Sequence, residues 1–317
     1  MAEAPTAKLK PPAQLNKNTA VKGSLGDNIF DICDTFFIIC FLLIVIYPMY
    51  WLIIASFSNA QAVNAGKVLF WPYKLTLEGY KIVFADIALW RAYKNTIIYT
   101  VLGCVLNVSI TLGGGYALSR DDLPLRPLIM KLLIFTMFFN GGLIPTFLVV
   151  KQLGIYDTIW AVLLPSTLSV YNMTVARAFF QSSIPTGLEE AARIDGATNM
   201  RTFFTIVLPC SPAIISVLTM FHAVQRWNEY FNAMIYLRDN NLFPLQLYLR
   251  DILLAVQTAL NMAGGQISDQ KALEEMRNAA QQIKYGTIII STLPMMILYP
   301  FMQKFFVKGV MVGSMKG

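Results

Sequence analysis

Residues 189–209 read EEAARIDGATNMRTFFTIVLP: two adjacent glutamates, two arginines, an Asp-Gly pair and a closing proline. On either side lie two long stretches, 158–176 and 202–225, that contain no Asp, Glu, Lys or Arg. Four more stretches share that property, at 35–61, 95–119, 132–150 and 285–303. A helix rises about 1.5 Å per residue and a bilayer core is about 30 Å thick, so each stretch is long enough to cross it. The reading is an all-α polytopic membrane protein with six transmembrane helices, and 189–209 is one of its connections.

Composition agrees. Of 317 residues, 56% are hydrophobic and 14% charged, with a mean hydropathy of +0.54. Soluble domains carry about a quarter charged residues. The net charge of +7 is spread over tail and loops and forms no nucleic-acid stripe. The first 30 residues are expected to form a flexible basic tail with Lys8, Lys10, Lys17 and Lys22, and the membrane-spanning body is expected over 31–317. The first apolar stretch is too long and too far from the start for a cleaved signal.

An even number of spans puts both termini on one side. The short loop 120–131 holds three basic residues and 151–157 holds one, which favours cytoplasmic termini, although 67–94 holds five. Cys33, Cys40, Cys104 and Cys210 form no CxxC pair and read as small buried side chains. With a lone histidine, His222, the chain supplies no metal cluster and no nucleophile–base pair, so it is not read as an enzyme. His222 reads as a hydrogen-bonded packing residue.

Within the spans, Gly113, Gly114 and Gly115 permit close helix approach. The run FFNGGLIPTF, with Asn140, Gly141, Gly142 and Pro145, predicts a break or kink in the third span. Residues 226–284 are too many for a turn and predict an extracytoplasmic helical insertion, with Ser268 capping its second helix.

In 189–209 itself, the acids lie in the early turns of a short helix, against the positive end of its dipole. Glu189–Arg193 and Glu190–Arg193 stand at pairing distance. Leu188, Ala191 and Ala192 form a small apolar stripe, and Asp195-Gly196 ends the helix. A second short helix leads into the next span, with Pro209 just inside. Such a helix–turn–helix suits either a protein surface, which alanines let approach, or the lipid face.

The residues Glu190, Ala191, Ala192, Gly196, Ile206 and Pro209 resemble the EAA loop of the membrane subunits of ABC importers. YALSR at 116–120, RWNEYFNAMIYL at 226–237 and FVKGVMVGSMKG at 306–317 resemble the maltose-transporter type of sugar permease, specifically its MalG-like partner. The likeness covers about 35–317 and departs from that family in the long outer segment before the last span. It implies an ABC importer type I transmembrane fold in the inner or plasma membrane of a prokaryote. It also implies that Glu189, Glu190, Ala191, Ala192, Arg193, Asp195, Gly196, Ala197 and Pro209 belong to a coupling helix seated on an ATPase subunit. Glu190 would meet a basic residue there, and Lys308, Gly309 and Lys316 of the tail would reach the ATPase dimer. The implied partners are a second homologous permease, two ATPases, an extracytoplasmic solute-binding protein and an oligosaccharide. ATP and Mg would bind the ATPases, and no cofactor this chain.

For the substrate path the candidates are Asn140, Trp227, Asn228, Glu229 and Tyr230, which combine aromatic faces with polar groups. The same residues from 227 to 230 also fit an interfacial aromatic belt. Peptide or amino acid permeases of the same superfamily, or an ion-coupled transporter, remain alternatives. The last would need ionisable groups at mid-membrane.

Overall fold

The computed structural model describes residues 25–266 and 270–314, and all of its regular elements are helical. The chain divides into two compact units, Met1–Trp51 and Leu52–Gly317. Helix α1, Leu25–Ser56, accounts for what is described of the first unit and opens the second. After Asp27, Asp31 and Asp34 near its start, its sequence from Thr35 on is apolar on every side, as a membrane helix requires.

Among the described residues, three helices are long and apolar enough to cross a membrane unbroken: Ile29–Ser56, Ile87–Ser119 and Ala280–Pro300. The third charge-free stretch is broken where its sequence predicts. Helix α5, Arg126–Phe138, turns by 114° into α6, Leu143–Gln152. Between them Gly142 has φ +85°, and the Asn140 side-chain oxygen accepts its N–H at 2.8 Å. The fifth stretch bends by 90° between Asn199–Val207 and Pro212–Trp227. Pro209 lies in that break rather than inside the following helix, α11 (Pro212–Trp227), whose first position is itself a proline.

The fourth stretch differs from expectation. It forms α7, Ile159–Leu163, and α8, Val170–Ser183, with an irregular turn between them. Pro165 has no N–H and disfavours helix at Leu164, and the Ser169 hydroxyl then accepts the Asn172 N–H to start α8.

The second span, α4 (Ile87–Ser119), is the central helix and packs against both α8 and α11. The core of that contact holds Leu112, Tyr116, Ala176, Phe180, Phe203, Val207 and Leu218. Its glycines divide by face. Gly113 meets open space, whereas a Cβ on Gly115 would lie 2.7 Å from Ala176 Cβ and 3.1 Å from the Arg177 nitrogen. Backbone cannot yield to a methyl cheaply, so Gly115→Ala should cost about 1–3 kcal/mol. A lower melting temperature in detergent for Gly115→Ala, against no loss for Gly113→Ala, checks this assignment.

The described residues of 226–284 include α12 (Phe231–Tyr236), a 3₁₀ turn at Asn240–Leu242, α13 (Leu245–Gln266) and the start of α14 (Gln270–Ser314). The polar helix of this insertion is not separate, because α14 runs without interruption into the last span. No glycine–proline pair or capping turn interrupts 270–293. Ser268 lies outside the described residues.

Candidate functional site

The connection after α8 is α9, Thr186–Ile194, followed by α10, Asn199–Thr202, and a π-helical turn at Phe203–Val207. The cap position of α9 falls on Pro185 and makes no side-chain bond. Its other end is tightly closed. Asp195 is the C-cap, Gly196 has φ +74°, Ala197 N–H bonds Ala192 O at 2.9 Å and Gly196 N–H bonds Arg193 O at 3.1 Å. That pair of bonds satisfies two carbonyls that a helix end leaves free, and the left-handed residue is one that glycine tolerates. Thr198 then caps α10 by accepting the Arg201 N–H.

The charges of α9 do not pair with one another. Arg120, at the exit of α4, grips Asp122 with Nε on Oδ1 and a terminal nitrogen on Oδ2, both at 2.8 Å. Its other terminal nitrogen donates to Tyr116 Oη at 2.9 Å and to Glu189 Oε2 at 3.1 Å. Arg193 donates to Asp122 Oδ2 at 2.5 Å. Two long-range ion pairs thus staple α9 to the α4–α5 loop and replace the expected pairing along the helix. The Arg120 side chain is only 12% exposed, so solvent screens this hub less than a surface pair. The Arg120 guanidinium holds the Asp122 carboxyl far below the usual carboxylate range, with Arg193 adding to it, and Asp122 in turn raises Arg120.

The apolar stripe of α9 is split. Ala192 is buried, whereas Glu190 and Ala191 are exposed and Ile194 is 86% exposed. With Glu189 and Arg193 engaged inside the chain, the outward face offers Glu190, Ala191 and Ile194. Ile194 was not among the residues singled out from sequence, because its spacing, four after Glu190, carries weight only once the buried side is known. Of the tail residues, Lys308 and Gly309 lie on the described backbone of α14, their side chains lie outside the described set, and Lys316 lies outside it altogether.

The substrate candidates do not converge. Asn140 sits exposed at the α5–α6 break. Trp227 is buried, its indole N–H donating to Ser291 O at 3.0 Å and its ring edge-on to Tyr93. Asn228 is exposed, and Glu229 accepts the Asn232 N–H at the start of α12. Of the five, Tyr230 alone lines the cavity between the start of α12, α13 and α14.

Sequence reasoning placed Arg226 at or near the outer end of the fifth span; it is the penultimate residue of α11 and only 2% exposed. One terminal nitrogen donates to Ser166 Oγ at 2.8 Å and Val162 O at 3.2 Å. The other donates to Leu163 O at 2.8 Å and Asn107 Oδ1 at 2.9 Å. The guanidinium therefore sits on the carbonyl end of α7, where a cation is favoured. Asn107 Nδ2 donates to His222 Nδ1 at 3.1 Å, and the Asn172 amide lies 3.4 Å from Nε2. His222 is the hydrogen-bonded packing residue that its lone position suggested. The available signal was the coincidence of one Arg, one His and two Asn in otherwise charge-free helices.

No family model matches the chain. It is 37% identical over 297 residues to the polygalacturonan/rhamnogalacturonan transport system permease protein YtcP of Bacillus subtilis, covering 92% of this chain and 100% of that one. It is 37% identical to Protein LplC of the same organism, covering 91% and 95%. With the trehalose/maltose transport system permease protein MalG of Thermococcus litoralis it shares 29% identity over 87% and 93%. A solved bacterial ABC transporter involved in the import of the acidic polysaccharide alginate contains a similar chain, at a TM-score of 0.79 and 31% identity, over 90% of this chain and 99% of that one.

Proposed function

This chain belongs to the family of sugar ABC transporter permeases, and from that premise we propose that it is a transmembrane subunit of an ATP-driven, binding-protein-dependent oligosaccharide importer. The named cargoes of its relatives, polygalacturonan/rhamnogalacturonan and alginate among them, support an oligosaccharide over a peptide or amino acid. The chain crosses the prokaryotic cell membrane six times, with α7 and α8 together as the fourth crossing and both termini in the cytoplasm. It pairs with a second homologous permease, two ATPase subunits and an extracytoplasmic binding protein. Lys308, Gly309 and Lys316 of the tail reach the ATPases, where ATP and Mg bind.

The observation that carries this reading is the mounting of α9. A nine-residue helix is closed by Gly196, fixed by Arg120–Glu189 and Asp122–Arg193, and left with Glu190, Ala191 and Ile194 facing out. Glu189, Arg193 and Ala192 hold the helix, while Glu190, Ala191 and Ile194 meet the ATPase. A rigid lever of this kind transmits ATPase closure to α4 through the Arg120 hub, and alternating access is a rocking of the two permeases driven by differential ATP binding.

Reconstitution of the complete transporter in proteoliposomes tests it. Oligosaccharide uptake should require ATP and survive ionophores that collapse ion gradients. Uptake that persists without ATP and stops with the ionophores would assign the chain to ion-coupled transport instead.

A further inference from the structure

A second polar site lies at the opposite end of α11 from α9. Gln246, Leu249, Arg250 and Leu253 recur at three- and four-residue spacing and present one face of α13 to α14, where Thr287, Ile288 and Ser291 face back. Tyr230, exposed at the start of α12, closes one side. The cavity measures about 340 Å³, within the range of about 300–1,000 Å³ of small-molecule sites.

Two of its groups lack protein partners that their surroundings would normally supply. Thr287 is 0% exposed and its hydroxyl makes no hydrogen bond among the described residues. Some helical threonines turn the hydroxyl onto the carbonyl four residues back, as Thr219 and Thr292 do; Thr287, like Thr100 and Thr111 of α4, does not, and of those three it alone lines this cavity. Arg250 is the second group. Its contact among the described residues is a 3.4 Å approach of one terminal nitrogen to its neighbour Asp251, which leaves most of a five-donor fork unused. Gln246 contributes an amide that reaches only 3.5 Å to Asn228.

Building on the sugar-import reading, we propose that this cavity is a subsite for an acidic sugar unit of the passing oligosaccharide. The Arg250 guanidinium takes the sugar carboxylate, Thr287 and Gln246 take its hydroxyls, and Tyr230 covers its C–H face. Each group supplies what a uronate displays: a planar anion matched by a planar fork, hydroxyls matched by a hydroxyl and an amide, and an apolar ring face matched by an aromatic.

The test uses the purified complex of both permeases and the ATPases, without the binding protein, and two probes, trigalacturonate and its methyl ester, of which the second has its carboxylates capped and neutralised. Arg250→Gln should weaken trigalacturonate binding about tenfold or more, the effect of losing a charge-assisted pair, and leave the methyl ester within about twofold. Arg250→Lys should recover part of the loss, and Thr287→Val should weaken both probes by a similar factor. Equal losses of both probes on Arg250→Gln, no loss of either, or no binding by the wild type would each overturn the subsite. The wild-type complete transporter is assayed in parallel for ATP-driven uptake. If uptake is intact while the charge discrimination is absent, the subsite fails alone; if no oligosaccharide is taken up under ATP, the transport reading fails.

Discussion

Replacing Arg226 by leucine is expected to cost the folded chain on the order of 3–5 kcal/mol, the range for removing one partner of a buried charged network. The guanidinium is 2% exposed and donates to four acceptors: Val162 O, Leu163 O, Ser166 Oγ and Asn107 Oδ1. A leucine would leave all four in an apolar interior. Each buried acceptor left unpaired costs about 1–3 kcal/mol, with strong non-additivity because they share one donor group. Two of the four are carbonyls at the end of α7, of which Leu163 O also accepts the Thr167 hydroxyl at 2.7 Å. The fourth apolar stretch is thus held as two short helices by a side chain from the fifth. Little space is available for an alternative arrangement, since a Cβ on Gly103 would already lie 2.7 Å from Arg226 Nε. Lysine keeps the charge but not the fork, so Arg226→Lys should recover only part of the stability. Melting in detergent, with size-exclusion profiles of the purified chain, reads the effect. Wild-type melting for the leucine variant would mean that the α7–α8 turn is held by something other than Arg226.

That network also marks where the sequence stops being informative. The break at Asn140–Gly142 was legible because its cause is local, a left-handed glycine with an Asx contact, whereas Pro209 was expected inside the next span and lies in a break instead. The end of α9 was legible for the same reason, in Asp195-Gly196. The break within 158–176 was not, because a charge-free window looks the same whether or not Pro165 interrupts it, and the carbonyls it frees are satisfied by a residue more than sixty positions away. The burial of Arg226 was not legible because it follows a charge-free stretch and precedes Trp227, the usual look of a membrane boundary. The pairing of α9 failed in the same way. Glu189 and Arg193 stand at ideal helical spacing, worth about 0.2–0.5 kcal/mol when exposed, but the sheltered, two-pronged Arg120–Asp122 pair competes for both. Long-range partners decide these side chains, and spacing along one helix cannot show them.

Glu190→Lys and Gly196→Pro should each lower coupled uptake by about 100-fold or more, equivalent to about 2.8 kcal/mol of lost coupling at 1.4 kcal/mol per tenfold. They act by different routes. Gly196 has φ +74° and its N–H closes the helix on Arg193 O; proline fixes φ near −65° and has no N–H, so the end of α9 must unwind. No atom lies within 4 Å of a Cβ built there, so Gly196→Ala strains only the backbone, by about 1 kcal/mol, and should keep most uptake. Glu190 is exposed and no hydrogen bond or ion pair of its carboxylate is recorded among the described residues. Reversing its charge therefore leaves the fold of this chain unchanged and alters only what α9 presents. The informative measurement is uptake beside melting temperature. Arg120→Ala, which removes the staple to Glu189 and the grip on Asp122, should lower both. Glu190→Lys should lower uptake alone, because the group it removes has its partner on another protein. Full uptake by Glu190→Lys, with the complex still assembled, would mean that ATPase closure enters this chain at some surface other than the outward face of α9.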